Sequence, residues 1–332
     1  MRAVVIDEFG PAEAGRLDEV ADPVAGPGEV LIEIFATAAN DVDNLLIGGL
    51  HQVKPMLPFI PGKGPAGVVR AVGAGVGGFK QGDRVLGMCE PGGGYAELIA
   101  VPAGQCHILP DAMPFADAAS MALVFDTAWF ALRERGRYRD GESVLVLGGS
   151  GGVGLAAIQL AKALGATVLA GVSNQDKYDL ARDAGADAII ALDWPDLKET
   201  MRLQVAAANG GEGVDIIIDP LGDDILDSAI RALAWRGRMV VIGFAAGRIP
   251  TIRANYLLVK NIEVTGLQIG DYRKRQPDLT AACFRELFAL YEEGRIRPLP
   301  TTEMPITDWQ DALAAISGRT ARGRIVLMQD RD

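Results

Sequence analysis

Residues Val144 to Gly154 read V-L-V-L-G-G-S-G-G-V-G, and this stretch constrains the fold more than any other. Four apolar residues run into a cluster of five glycines, and L-A-A-I-Q-L-A-K-A-L-G follows from Leu155 to Gly165 with helical spacing. A short apolar run bounded by glycine reads as a buried strand, and the spacing after it as a helix. A strand that turns tightly into a helix lets the main chain approach a phosphate closely. The unpaired N–H groups of the first helical turn, with the helix dipole, then stabilise its negative charge. Gly149-x-Gly151-x-x-Gly154 satisfies the common dinucleotide fingerprint, while Gly148-x-x-Gly151-x-x-Gly154 departs from it. Ser150, Gly151, Gly152, Val153 and Gly154 are therefore candidate pyrophosphate contacts. The bland alternative is a flexible strand-to-helix turn without a ligand.

The rest of the chain supplies a context for that turn. Strands are predicted at Ser143–Leu147, Thr167–Val172, Ala188–Ala191, Asp215–Asp219, Arg238–Gly243 and Ile262–Gly266. Helices are predicted among them at Gly152–Leu164, Gln175–Ala184, Leu197–Ala208, Ile225–Leu233 and Ala254–Leu258. Apolar strands alternating with amphipathic helices imply a parallel sheet covered on both faces. The first third differs. Ala3–Ile6, Glu29–Ala36, Ala66–Gly73, Arg84–Met88 and Tyr95–Val101 are short β-like runs separated by Gly- and Pro-rich turns, the pattern of a small barrel-type unit. Helices at Phe115–Leu123 and Asp126–Arg135 join the two regions. After the parallel-sheet region come helices at Leu279–Glu293 and Trp309–Ser317 and a last strand at Gly323–Met328; Asn44–Pro58 and Ile269–Pro277 read as loops.

Composition excludes several functions. At 332 residues two domains are the default, and 49% hydrophobic residues suffice for well-buried cores. A net charge of -11 argues against nucleic acid and anionic membranes as partners, and the short basic run Arg273-Lys274-Arg275 does not reverse this. Met1–Ile6 reaches Asp7 and Glu8 before any apolar run typical of a signal peptide. No apolar stretch approaches the ~20 residues that span a bilayer. Cys89, Cys106 and Cys283 are scattered, so a reducing, cytoplasmic setting is expected.

The end of the second parallel strand discriminates between cofactors. An NAD site usually places Asp or Glu there to accept from the ribose hydroxyls. Here Val172 is followed by Ser173-Asn174-Gln175, with Asp176 only beyond. Lys177 can meet a 2′-phosphate and Ser173 can donate to it, so NADPH is the expected cofactor. The alternative makes Ser173 a helix cap and Lys177 a surface residue.

Taken in order, the motifs resemble a medium-chain dehydrogenase/reductase, and within it the zinc-free quinone oxidoreductase branch that includes zeta-crystallin. Gly62-Lys63-Gly64-Pro65-Ala66-Gly67, Gly82-Asp83-Arg84-Val85, Gly93-Gly94-Tyr95-Ala96-Glu97, Asp126-Thr127-Ala128-Trp129, the glycine run and Lys260-Asn261-Ile262 carry the likeness along nearly the whole chain. The resemblance implies an α/β protein with a GroES-like β-barrel-type catalytic domain over residues 1–124 and 271–332. A Rossmann doubly wound parallel-sheet domain would occupy residues 125–270. It further implies nicotinamide-side contacts near Phe244 and Leu267, and a phosphate contact from Arg319. Homodimerisation through the sheet edge at Ile262–Gly266 is implied too.

No metal site is expected. Only two histidines, His51 and His107, accompany the separated cysteines. Zinc-dependent relatives carry a Cys at the position of Asn40 and a His-Glu pair at Lys63-Gly64. Without a Lewis acid, the favoured chemistry is hydride transfer to an acceptor that is already electrophilic, a quinone or an α,β-unsaturated carbonyl. The resemblance makes Asn40 the candidate hydrogen-bond donor and places Thr127 by the nicotinamide; otherwise Asn40 caps a turn and Thr127 lies in a buried helix. Lys63 is expected at the surface, with a cation near the acceptor as the alternative. Three departures stand out: Leu45 replaces a Tyr frequent five residues after the Asn, Leu192 replaces a Tyr that often contacts the cofactor phosphate, and Lys63-Gly64 replaces Ser-Glu. An enoyl-thioester reductase and a low-turnover NADPH-binding redox sensor remain as alternative functions.

Overall fold

The computed structural model describes residues 1–193, 195–318, 320–321 and 323–330. The chain forms two compact units. One comprises Met1–Leu123, Gly270–Phe288 and the chain from Pro298 on; the other comprises Val124–Ile269 and Ala289–Arg297. Residues 289–297 thus cluster with the second unit.

The first unit begins with β1 (Arg2–Val5) and β2 (Arg16–Glu19), an antiparallel pair. Then come β3 (Glu29–Ala39), α1 (Asp41–Ile47), β4 (Ala66–Val72), β5 (Arg84–Gly87), β6 (Leu98–Pro102), β7 (Cys106–Ile108) and α2 (Phe115–Met121). Strand β3 organises the sheet. Its alternating Val30, Ile32 and Ile34 are fully buried and share a core with Val69, Val85, Ile99 and Val101. One edge of β3 pairs with β4, while the other is covered by β6 over Glu29–Glu33.

The second unit holds α3 (Val124–Trp129), β8 (Ser143–Leu147), α4 (Gly152–Ala163), β9 (Thr167–Val172), α5 (Tyr178–Asp183), β10 (Ala188–Ala191), α6 (Leu197–Ala208), β11 (Val214–Asp219), α7 (Asp223–Ala229), β12 (Leu233–Val241), α8 (Ala254–Lys260) and β13 (Glu263–Gly266). Its six strands are parallel in the order β10-β9-β8-β11-β12-β13. All five residues of β8 are buried, as expected for a strand covered on both faces. Helix α6 buries Met201 and Val205, four residues apart, against that sheet's core.

The chain ends with α9 (Ile269–Arg275), α10 (Pro277–Glu292), β14 (Thr301–Pro305), α11 (Trp309–Ser317) and β15 (Arg324–Met328). Strand β15 completes the covered edge of β3, pairing antiparallel along Ala36–Ala39, and β14 adds parallel outside it.

Several local expectations are corrected. Asp41–Ile47 is a helix, because the Asp43 carboxylate three residues into it accepts from the Asn40 N–H and closes the first turn. Ile269–Arg275 is likewise helical rather than a loop. The helix predicted at Ile225–Leu233 starts at Asp223 and ends at Ala229, and Leu233 already begins β12. The strand predicted from Tyr95 begins only at Leu98, since Tyr95 is buried beside α1 and bonds Asp43. Among the described residues no single helix is long and apolar enough to cross a membrane.

Candidate functional site

In the second unit the glycine run forms the turn from β8 to α4. Gly148 has φ +63°, a left-handed conformation that favours glycine, and its carbonyl accepts from the Gly151 N–H at 2.9 Å. A Cβ on Gly154 would lie 2.1 Å from the Gly148 carbonyl oxygen and 3.0 Å from Gly149 Cα, so only glycine allows the helix to start this close to the loop. Gly151 is exposed, and Ser150, Gly152 and Val153 are half-buried at the helix N-terminus. First-turn N–H groups have no intrahelical acceptor, so this cradle fits an anionic pyrophosphate.

Ser173 and Lys177 follow β9. Ser173 is exposed and is not the cap: Asn174 Oδ1 accepts from the Asp176 N–H at 2.9 Å, opening a short 3₁₀ turn over Gln175–Lys177. Lys177 is half-buried. Leu192 is buried in the core, with Leu147 and Leu192 both flanking Gly171. Phe244 and Leu267 lie beyond the ends of β12 and β13, and the Leu267 N–H bonds the Val241 carbonyl at 3.0 Å. Next to Gly148 runs Asp219-Pro220-Leu221-Gly222. Asp219 Oδ1 accepts from Leu221 and Gly222 N–H at 2.9 and 3.0 Å, and burial raises its carboxyl. Thr127 is half-buried on α3, which packs against α4. Arg319 lies outside the described residues.

Asn40 occupies a different setting, at the N-terminus of α1 in the first unit, 4% exposed. Its Nδ2 donates to the Ala38 carbonyl at 2.8 Å and its Oδ1 accepts from Arg324 Nη2 at 2.7 Å. Asp43 is fully buried beside it, accepting from Tyr95 OH at 3.1 Å, Gly62 N–H at 3.3 Å and Asn40 N–H at 2.9 Å. Burial pushes the Asp43 carboxyl up to about 6, even though Lys63 and these donors pull it down.

Lys63 overturns the surface expectation. It is 6% exposed, and its Nζ bonds Glu90 Oε2 at 2.5 Å. Arg273, fully buried, holds the other carboxylate oxygen at 2.7 Å. An ammonium this far from water needs a carboxylate partner, and Glu90 provides it. Burial alone would raise Glu90, but the two cations hold it below the usual range. Leu45 is exposed on α1.

Sequence reasoning missed Arg324, Asp43, Tyr95, Glu90 and Arg273. For Asp43 a signal existed: Asn40-x-x-Asp43 has the spacing of a helix-capping pair. Arg324 gave none, since it meets Asn40 across 284 residues of chain.

Two sequence profiles match, "Alcohol dehydrogenase GroES-like domain" over residues 26–111 and "Zinc-binding dehydrogenase" over residues 152–285. The chain is 34% identical over 313 residues to quinone oxidoreductase-like protein 2 of Bos taurus, spanning 94% of this chain and 88% of the relative. It belongs to the quinone oxidoreductase-like branch of the medium-chain dehydrogenase/reductase superfamily. A mycobacterial quinone oxidoreductase superposes with a TM-score of 0.90 at 30% identity, over 99% of both chains. The Escherichia coli quinone oxidoreductase, solved in complex with NADPH, gives 0.89 at 29% identity over 99% and 100%. As in that branch, the first unit is GroES-like and the second is a Rossmann-type parallel sheet.

The second of these profiles names zinc, and the candidate ligands can be checked against it. Among the described residues no three His, Cys, Asp or Glu gather into a metal-holding group. Burial pushes the Cys89 thiol up to about 12, and its Sγ donates to the Gly62 carbonyl, so it is far from the thiolate that a metal requires. His107 stacks on Phe284 with ring centroids 4.2 Å apart, and burial takes its imidazole down to about 3.

Proposed function

We propose that this protein is an NADPH-dependent reductase of quinones or α,β-unsaturated carbonyls that works without a metal. The observation that carries the reading is the glycine cradle at Gly148–Gly154, whose closest approach leaves no room for a Cβ at Gly154. The N–H groups of Ser150 and of Gly152, Val153 and Gly154 in the first turn hold the pyrophosphate, while Gly151, whose own N–H closes the turn onto Gly148, keeps the main chain close to it. Ser173 and Lys177, with no carboxylate at the end of β9, receive the 2′-phosphate, and Arg319 is assigned there as well. Phe244 and Leu267 flank the nicotinamide half, and Thr127 borders it. Bound NADPH supplies the hydride.

Asn40 supplies what a Lewis acid would otherwise provide. Its amide donates to the acceptor oxygen as negative charge develops there, and water delivers the proton that completes the enol or hydroquinone. The second unit acts as the dinucleotide-binding domain and the first as the catalytic domain. The three cysteines are buried and not joined in disulfides, which fits a cytoplasmic setting. Homodimerisation is proposed through β13, an edge strand of the parallel sheet, beside which Leu258 and Val259 of α8 stand exposed.

The test is NADPH oxidation with benzoquinone, phenanthrenequinone, an alkenal and crotonyl-CoA in parallel. Turnover of the quinones or the alkenal, with NADPH preferred over NADH, is the expected result. NADPH binding without turnover of any acceptor overturns the enzymatic reading, turnover of crotonyl-CoA alone reassigns the acceptor class, and an NADH preference refutes the roles of Ser173 and Lys177. Stoichiometric zinc in the purified protein overturns the metal-free mechanism.

A further inference from the structure

The Asn40 amide can sit in only one orientation. Among the described residues the amide bonds the Arg324 guanidinium, which only donates, and the Ala38 carbonyl, which only accepts. Exchanging Oδ1 and Nδ2 would break both bonds at once. Arg324 is itself held in place. It opens β15, whose next residue Ile325 pairs with Ala39, and its Nε donates to the Ser120 carbonyl at 3.2 Å.

Arg324 is an expensive residue to keep there. It is 9% exposed, and among the described residues its hydrogen bonds go to two neutral oxygens rather than to a carboxylate. Asp43 and Tyr95 supply the nearby negative and polar character without pairing with it directly. A buried cation directed at one amide oxygen has two consequences for that amide. It fixes which atom can serve as a donor, and it draws electron density toward Oδ1, which makes the N–H groups on Nδ2 stronger donors.

We propose that Arg324 is a positioning residue for the reaction: by holding Asn40 Oδ1 it reserves the second Nδ2–H for the acceptor oxygen and strengthens it as a donor. This rests on the reading of Asn40 as the donor. Arg324 acts through Asn40 and touches neither cofactor nor acceptor.

A double-mutant cycle tests it, with kcat, the KM for NADPH and the melting temperature measured for the wild type, Asn40→Ala, Arg324→Met and the double variant. Asn40→Ala should lower kcat roughly 100-fold, the usual scale for losing an oxyanion donor, and Arg324→Met roughly tenfold with the KM for NADPH unchanged. In the Asn40→Ala background, Arg324→Met should lower kcat no further. Arg324→Lys, which keeps one donor, should restore part of the rate, and the same cycle run with Lys carries the test if the Met variant does not fold. Equal falls in both backgrounds overturn the positioning role, as does a fall in kcat matched by a rise in the KM for NADPH. An Asn40→Ala enzyme with unchanged kcat overturns the donor reading, and this inference with it.

Discussion

The glycine loop of the second unit offers main-chain N–H groups, whereas Asn40, Asp43, Tyr95 and Arg324 of the first unit meet through side chains drawn from distant segments. Lys63, Glu90 and Arg273 repeat the second pattern. The two constructions fail in different ways. A main-chain cradle is insensitive to the charge of its residues and is spoiled by added atoms. A buried side-chain network tolerates small changes of shape but not the loss of a charge, because the partner left behind is buried without compensation.

Glu90→Gln should give the largest effect. Gln keeps the shape of Glu90 but leaves Lys63 and Arg273 facing each other around a neutral amide. Breaking a buried pair in this way costs about 3–5 kcal/mol, to be read as a lower urea midpoint. Glu199→Gln, on the exposed pair with Arg202, is the control and should leave the midpoint nearly unmoved. Equal shifts in the two variants would mean that burial of the Lys63 pair adds nothing.

The converse holds for Gly154→Ala in the second unit. Alanine is the better helix former by about 1 kcal/mol, so propensity alone favours the change. The Cβ would nevertheless lie 2.1 Å from the Gly148 carbonyl oxygen, and main chain yields only if the loop opens. Overpacking of this kind costs up to about 3 kcal/mol, which corresponds to roughly 100-fold weaker NADPH binding in a fluorescence titration. NADPH binding at wild-type strength would show that the loop's close approach is not what the cradle depends on.

The same contrast explains what was legible in the sequence. The cradle is contiguous, and its physical requirement, glycine where main chain meets main chain, is written in residue identity. The parallel strands were legible for a similar reason, since burial on both faces demands continuous apolar runs such as Ser143–Leu147. Short helices were less so: Asp41–Ile47 depends on one capping carboxylate, and Ile269–Arg275 has a strongly charged sequence that resembles a surface loop. Lys63 read as a surface residue because lysine usually is one. Its partner Glu90 lies 27 residues away, and nothing in composition or spacing marks the two as neighbours. Side-chain networks are fixed by tertiary placement, and one sequence carries little trace of it.

The smallest of the three effects is a pH dependence. Burial pushes the Asp43 carboxyl up to about 6, whereas in the unfolded chain it titrates near ~3.9. The folded state therefore binds this proton more tightly. Below about pH 4 both states are protonated and the contribution is fully present. As pH rises from about 4 through about 6, the unfolded chain releases the proton first, and roughly 2–3 kcal/mol of stability is lost. Glu90 works in the opposite direction: held low by Lys63 and Arg273, it contributes stability above the ordinary glutamate value of ~4.3 and loses it only as pH falls below that, so its window is more acidic. Urea unfolding of the wild type and Asp43→Asn between about pH 4 and about pH 7 separates this contribution from the others. Because Asn does not titrate, the stability of the wild type relative to the variant should fall as pH rises to about 6 and level off above it. A difference that stays constant with pH would place Asp43 at an ordinary carboxylate value, and the first unit's polar set would then be held by packing rather than by electrostatic coupling.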